Sequence, residues 1–104
     1  MSYEYRLMLS GSGSAQRVLE RLKASEACSE AGRDEVCLKD RRLNTLAAYD
    51  MRLMNEDGRS LWLEVNFRSA ELFRLVEAAL DGLPCRCLED GDPDDEVALV
   101  TALA

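Results

Sequence analysis

Between positions 46 and 67 apolar and polar residues alternate along two successive runs. Leu46, Ala48 and the series Ala47, Tyr49, Met51, Leu53 lead into Asn55-Glu56-Asp57-Gly58, and Leu61, Leu63, Val65 and Phe67 follow. Successive side chains of a strand point to opposite faces, and Asn, Asp and Gly supply the conformations a tight turn needs. The pattern therefore predicts an antiparallel hairpin over 47–54 and 60–67. Leu61, Leu63, Val65 and Phe67 define a core face, and Trp62, Glu64 and Asn66 an outer one.

The flanking segments follow the same logic. Tyr3, Tyr5, Leu7 and Leu9 alternate with Glu4, Arg6 and Met8 as a first strand, which the Ser-Gly run 10–14 closes. Ala15, Val18, Leu19 and Leu22 then recur at helical spacing, with Ser14 as the expected N-cap and an end near Ser25. Residues 26–45 carry no long pattern and are expected to be loop, with a possible edge strand over 35–39. Ser69 caps a second helix whose stripe is Leu72, Phe73, Val76, Ala79 and Leu80, stopped by Gly82. Leu83, Cys85 and Cys87 alternate as a further strand. In the tail, Asp92-Pro93 favours a helix start, whereas Val97, Leu99, Val100 and Thr101 favour a strand, which is preferred.

The order βα, ββ, αβ predicts one α+β domain over 1–104. It is a two-layer sandwich of the ferredoxin-like βαββαβ kind with an extra C-terminal strand or helix. Beyond the helices the other sheet face is left open, or covered by the tail alone. Met8, Met54 and Leu88 share that face with Trp62.

Charge narrows the function classes. The net charge is −7, and residues 53–104 hold 4 Lys/Arg against 12 Asp/Glu, whereas residues 1–52 hold 9 against 8. Such a field repels phosphate backbones and favours a basic protein partner. No apolar run approaches the roughly 20 residues of a membrane span, and the N-terminus lacks a secretion signal, so a cytoplasmic protein is expected. Its four cysteines, Cys28, Cys37, Cys85 and Cys87, are then expected to be free thiols. Zinc is disfavoured, since there is no histidine and Cys85 and Cys87 are spaced as strand neighbours on one face.

Candidate chemistry is sparse. Gly11-Ser12-Gly13 stands where nucleotide folds cradle phosphates, yet neither a third glycine nor a Gly-Lys-Ser/Thr follows, which leaves a plain strand-helix turn. Asp90, Asp92 and Asp94 have calcium-loop spacing, but Asp95 stands where the loop needs Gly and Thr101 where it needs Glu. Two readings of these acids remain, a solvated acidic turn and a protein-binding patch; the patch would be formed by Glu89, Asp90, Asp92, Asp94, Asp95 and Glu96 with Trp62 and Glu64. Without histidine a Ser or Cys nucleophile has no ordinary base, so no enzyme and no cofactor are expected.

The acids from Glu89 to Glu96 and the acid-rich second half resemble the immunity proteins that bacteria express beside contact-dependent or type VI toxins. That resemblance implies an inhibitor that covers the active site of a basic toxin, such as a nuclease, with carboxylates standing in for phosphates. Phage inhibitors of host nucleases, such as anti-CRISPR proteins, share the profile. A small-molecule regulatory domain using Gly11 to Ser14 as its ligand loop is a third possibility.

Overall fold

Seven strands and three helices follow one another in the computed structural model, which describes residues 2–104. They are β1 (Tyr3–Leu9), α1 (Ser14–Lys23), β2 (Cys28–Ala31), β3 (Glu35–Leu38), β4 (Met51–Asn55), β5 (Ser60–Val65), α2 (Ala70–Leu80), β6 (Cys85–Glu89), β7 (Glu96–Val97) and α3 (Leu99–Leu103). The strands form one antiparallel sheet in the order β2-β3-β4-β5-β1-β6-β7. The chain is thus α+β in two layers. It exceeds the expected βαββαβ order by the β2-β3 hairpin after the first helix and by β7 and α3 at the end.

The central register places Tyr5 opposite Leu63 and Leu53 opposite the same Leu63. Leu7, Leu53, Leu61 and Leu63 are fully buried against Val18, Leu19 and Leu22 of α1 and Leu72 and Val76 of α2. The turn between β4 and β5 is held by polar groups of its own. Gly58 takes φ +86° and donates its N–H to Asn55 Oδ1 at 2.7 Å. Asp57 Oδ1 accepts the N–H groups of Arg59 and Ser60, which hold its carboxyl below the usual carboxylate range. At α2, Ser69 Oγ accepts the Leu72 N–H at 3.0 Å, and Gly82 follows the helix at φ +78°.

Several expectations need correction. The hairpin strands are 51–55 and 60–65, shorter than predicted: residues 46–50 are a loop in which Leu46 is fully exposed, and Phe67 is 45% exposed. Both ends are diverted by Asp50, whose carbonyl accepts the N–H groups of Asn66 and Phe67 while its own N–H reaches Leu38. Tyr3, expected on the core face, lies 53% exposed beneath the Arg68 guanidinium. The N-cap of α1 is Gly13 at φ 77°, and Ser14 is the first helical residue, its hydroxyl donating to the Gly11 carbonyl at 2.7 Å.

Residues 26–45 hold two strands, and β3 is interior, between β2 and β4. The tail forms only two residues of strand before α3, whose Ala102 and Leu103 enter the core beside α2. It therefore lies on the helical side, and the outer face, where Leu88 is buried, is covered in part by the loop after β6, whose Gly91 packs on Arg6 and Trp62.

Cys85 and Cys87 point to the core face, opposite Leu9 and Leu7. Burial pushes the Cys85 thiol up to about 11 and the Cys87 thiol up to about 12. These are above the ordinary thiol value near 8.5, so the native state favours the protonated thiols. Stability is unaffected below about pH 8.5 and falls as pH rises from there through the native values, because the unfolded chain ionises first. Denaturant titrations at pH 7 and 10 should show that fall, reduced in a Cys87→Ala variant. In native protein a thiol reagent should modify Cys28 well before Cys37 and Cys87; equally fast modification of all four would contradict this packing.

Candidate functional site

The outer face is built from side chains whose parity opposes the core residues: Glu4, Arg6 and Met8 of β1, Arg52 and Met54 of β4, Trp62 and Glu64 of β5, Arg86 and Leu88 of β6. Pairing sets them in rows, with Met54 opposite Trp62, Trp62 opposite Arg6 and Arg6 opposite Leu88. Trp62 is half-buried. Its Nε1 donates to Glu4 Oε2 at 2.8 Å, and the Arg6 guanidinium lies 5.3 Å above its ring. Arg6 is in turn bound by Glu56 through two hydrogen bonds, at 2.9 and 3.1 Å.

Glu64 is engaged internally. It accepts from Arg52 at 2.6 Å and from the Tyr49 hydroxyl at 3.2 Å. Burial, together with the Glu64 charge, pushes the Tyr49 hydroxyl up, so it remains a donor. Arg86 pairs with Glu96 at 2.9 Å. The cations of this face are thus bound by its own acids, as on a finished solvent surface; the one loose group is the buried Arg52 Nε, which has no acceptor among the described residues.

The acids of residues 89–96 connect β6 to β7. Asp90 and Gly91 both take positive φ, at 53° and 75°, in a turn closed by hydrogen bonds from Gly91 N to Leu88 O and from Asp92 N to Glu89 O. Positive φ at two successive turn residues is the geometry that Asp-Gly supplies most readily. The loop is pinned by backbone bonds from Asp90 N to Glu4 O and from Glu89 N to Asp95 O, each 2.9 Å, and Asp92 Oδ1 accepts the Asp94 N–H. Gly91 packs on the outer face so closely that a Cβ there would stand 3.0 Å from Arg6 Nη1 and 3.2 Å from the Trp62 ring. The structure therefore brings the loop and Trp62 together.

The eight residues fall into two sets. Asp90, Asp92, Asp94 and Asp95 are exposed and form no ion pair among the described residues. Glu89 is half-buried opposite Tyr5, Glu96 is paired, and Trp62 and Glu64 are tied into the sheet. Glu4, Arg6 and Gly91 escaped sequence reasoning. Their side of β1 was legible by alternation; the register that sets Arg6 on Trp62 and under Gly91 was not. Among the described residues no three acidic or cysteine side chains converge as metal ligands.

Two other places bear on ligand binding. The N–H of Ala15, which a phosphate at Gly11–Ser14 would need, is taken by the Gly58 carbonyl at 3.2 Å. An open groove of about 590 Å³ lies between the end of α1 and α2, and its charged lining mixes Lys39, Arg41 and Arg42 with Glu26, Asp40 and Glu71. No family model, curated protein or solved structure matches this chain.

Proposed function

We propose that this chain is an immunity protein, which binds a basic toxin of the nuclease kind and blocks it by occlusion without performing chemistry. The observation that carries this reading is the loop 90–95. Asp90, Asp92, Asp94 and Asp95 repel one another and form no ion pair among the described residues, yet the backbone that bears them is fixed at both ends. Fixed carboxylates lose little freedom on binding, and a cationic groove made for phosphates is complementary to them. Charge of this kind accelerates encounter as well as holding the complex. The half-buried Trp62 and Arg6 act as the platform under Gly91 that sets where the acids stand.

The inner strand order β6-β1-β5-β4, with α1 and α2 on one face, supports reading the fold as a ferredoxin-like core enlarged by a hairpin. The small-molecule reading has less support, because the Ala15 N–H is already bonded. A phage-type inhibitor would use the same acids, so the identity of the blocked nuclease separates the two.

The test is co-expression with the basic toxin encoded beside its gene. Wild-type chain should protect the cells and inhibit the purified toxin. A variant with Asp92→Lys, Asp94→Lys and Asp95→Lys should fold normally, because these side chains are exposed, and fail to protect. Full protection by that variant would remove the loop from the interface.

A further inference from the structure

Arg6 lies against the acidic loop, yet no acid of the loop pairs with it. Its Nη1 is so near Gly91 that an added Cβ would stand 3.0 Å away, and Gly91 is flanked in the chain by Asp90 and Asp92. Neither carboxylate forms an ion pair among the described residues. The reason lies on the other side of the guanidinium. Nε and Nη2, an edge that grips a carboxylate through two parallel bonds, are turned to Glu56 at 2.9 and 3.1 Å, so that Nη1 alone is left toward the loop.

Both partners of this pair are held in place. Glu56 Oε1 also accepts the Ser60 hydroxyl at 2.9 Å, and the Glu56 N–H donates to the Ser60 carbonyl at 3.1 Å, so the turn between β4 and β5 fixes the carboxylate. Arg6 is fixed by its seat on the Trp62 ring. The other carboxylates beside Arg6 already have donors: Glu4 accepts from Trp62 Nε1, and Asp57 from the N–H groups of Arg59 and Ser60. Asp90 and the Oδ2 of Asp92 accept no hydrogen bond among the described residues. Released from Glu56, the Arg6 guanidinium would therefore find its next acceptors in the loop.

We infer that Glu56 is a positioning residue for the acidic loop: by holding the Arg6 fork it keeps a cation off Asp90 and Asp92 and leaves both free for a basic partner. This rests on reading the loop as the toxin-binding element, and it explains how a cation can support that loop without neutralising it. Paired Arg6 also repels an approaching cationic surface less than free Arg6 would.

The test compares the wild-type chain with Glu56→Ala and with Glu56→Ala combined with Arg6→Gln. Glu77→Ala, which removes one exposed charge from α2 on the helical side, is the control for net charge. Circular dichroism checks the fold of each, and Glu56→Gln repeats the comparison with an oxygen retained for the Ser60 hydroxyl. In the free chain, carbon NMR should show the carboxyl resonance of Asp90 or Asp92 displaced in Glu56→Ala and returned to its wild-type position when Arg6→Gln is added. A merely structural role of Glu56 would not be reversed by removing Arg6. Association with a basic nuclease toxin encoded beside the gene, measured at low salt, should be at least about threefold slower for Glu56→Ala than for Glu77→Ala, since the steering charge is then partly neutralised. Loop carboxyl resonances that stay in place in Glu56→Ala overturn the inference, as does a displacement that Arg6→Gln leaves unchanged. Equal rates for Glu56→Ala and Glu77→Ala overturn it too when the Asp92→Lys, Asp94→Lys, Asp95→Lys variant is slowed. A toxin indifferent to that triple variant overturns the toxin reading instead, and the carboxyl resonances of the free chain still decide the part played by Glu56.

Discussion

Replacing Asp50 by Ala should cost about 3–5 kcal/mol of folding stability, the range for removing one partner from a buried charged network. The Asp50 side chain has no exposure, and it accepts the Asp40 N–H and the Thr45 hydroxyl, each at 2.7 Å, with Lys39 Nζ 4.0 Å away. Alanine leaves those donors facing an empty space. The network also reaches α2, since Asp40 Oδ2 accepts from the hydroxyl of Ser69, the cap of that helix. Asp50→Asn keeps one acceptor oxygen and should lose less. Urea unfolding checks both, and a loss under about 1 kcal/mol for Asp50→Ala would show that water satisfies the donors as well as the carboxylate does.

Leu63→Ala should cost about 2–5 kcal/mol, the transfer free energy of the lost methylenes plus a cavity. Leu63 is fully buried at the centre of the sheet, paired with Tyr5 on one side and Leu53 on the other. Neighbours fixed by two ladders cannot collapse into the void, which puts the loss toward the upper part of that range. A loss below about 0.5 kcal/mol is a surface effect and would remove Leu63 from the core.

What could be read from the sequence depended on whether a segment buries one face. β5 and α2 do, and period-2 and helical spacing located them within two residues. β2 does not: Ser29, Glu30 and Ala31 are exposed on an edge, so Cys28–Ala31 has no alternation to display. The loop 39–50 is shaped by Lys39 and Asp50, a long-range polar network without periodicity, and the alternation of Ala47 and Tyr49 imitated a strand across it. In the tail Val97 does form strand, but strand-favouring Val100 and Thr101 were outweighed by the burial of Ala102 and Leu103 beside α2, a tertiary effect that overrides propensity. Both parts of the candidate site, the acids and Trp62, were visible as residue types. Their contact through Gly91 and Arg6 joins positions about 30 and 85 residues apart and leaves no local trace.

The most direct measurement of the proposed role is the rate of association with a basic nuclease toxin encoded beside the gene, followed by stopped-flow fluorescence at low salt and at roughly 0.5 M salt. Steering by the loop requires the wild-type rate to fall steeply as salt screens Asp90, Asp92, Asp94 and Asp95. The Asp92→Lys, Asp94→Lys, Asp95→Lys variant should associate at least about tenfold more slowly at low salt and lose the steep dependence. Equal rates for the two proteins at both salt concentrations would contradict the role assigned to the acidic loop.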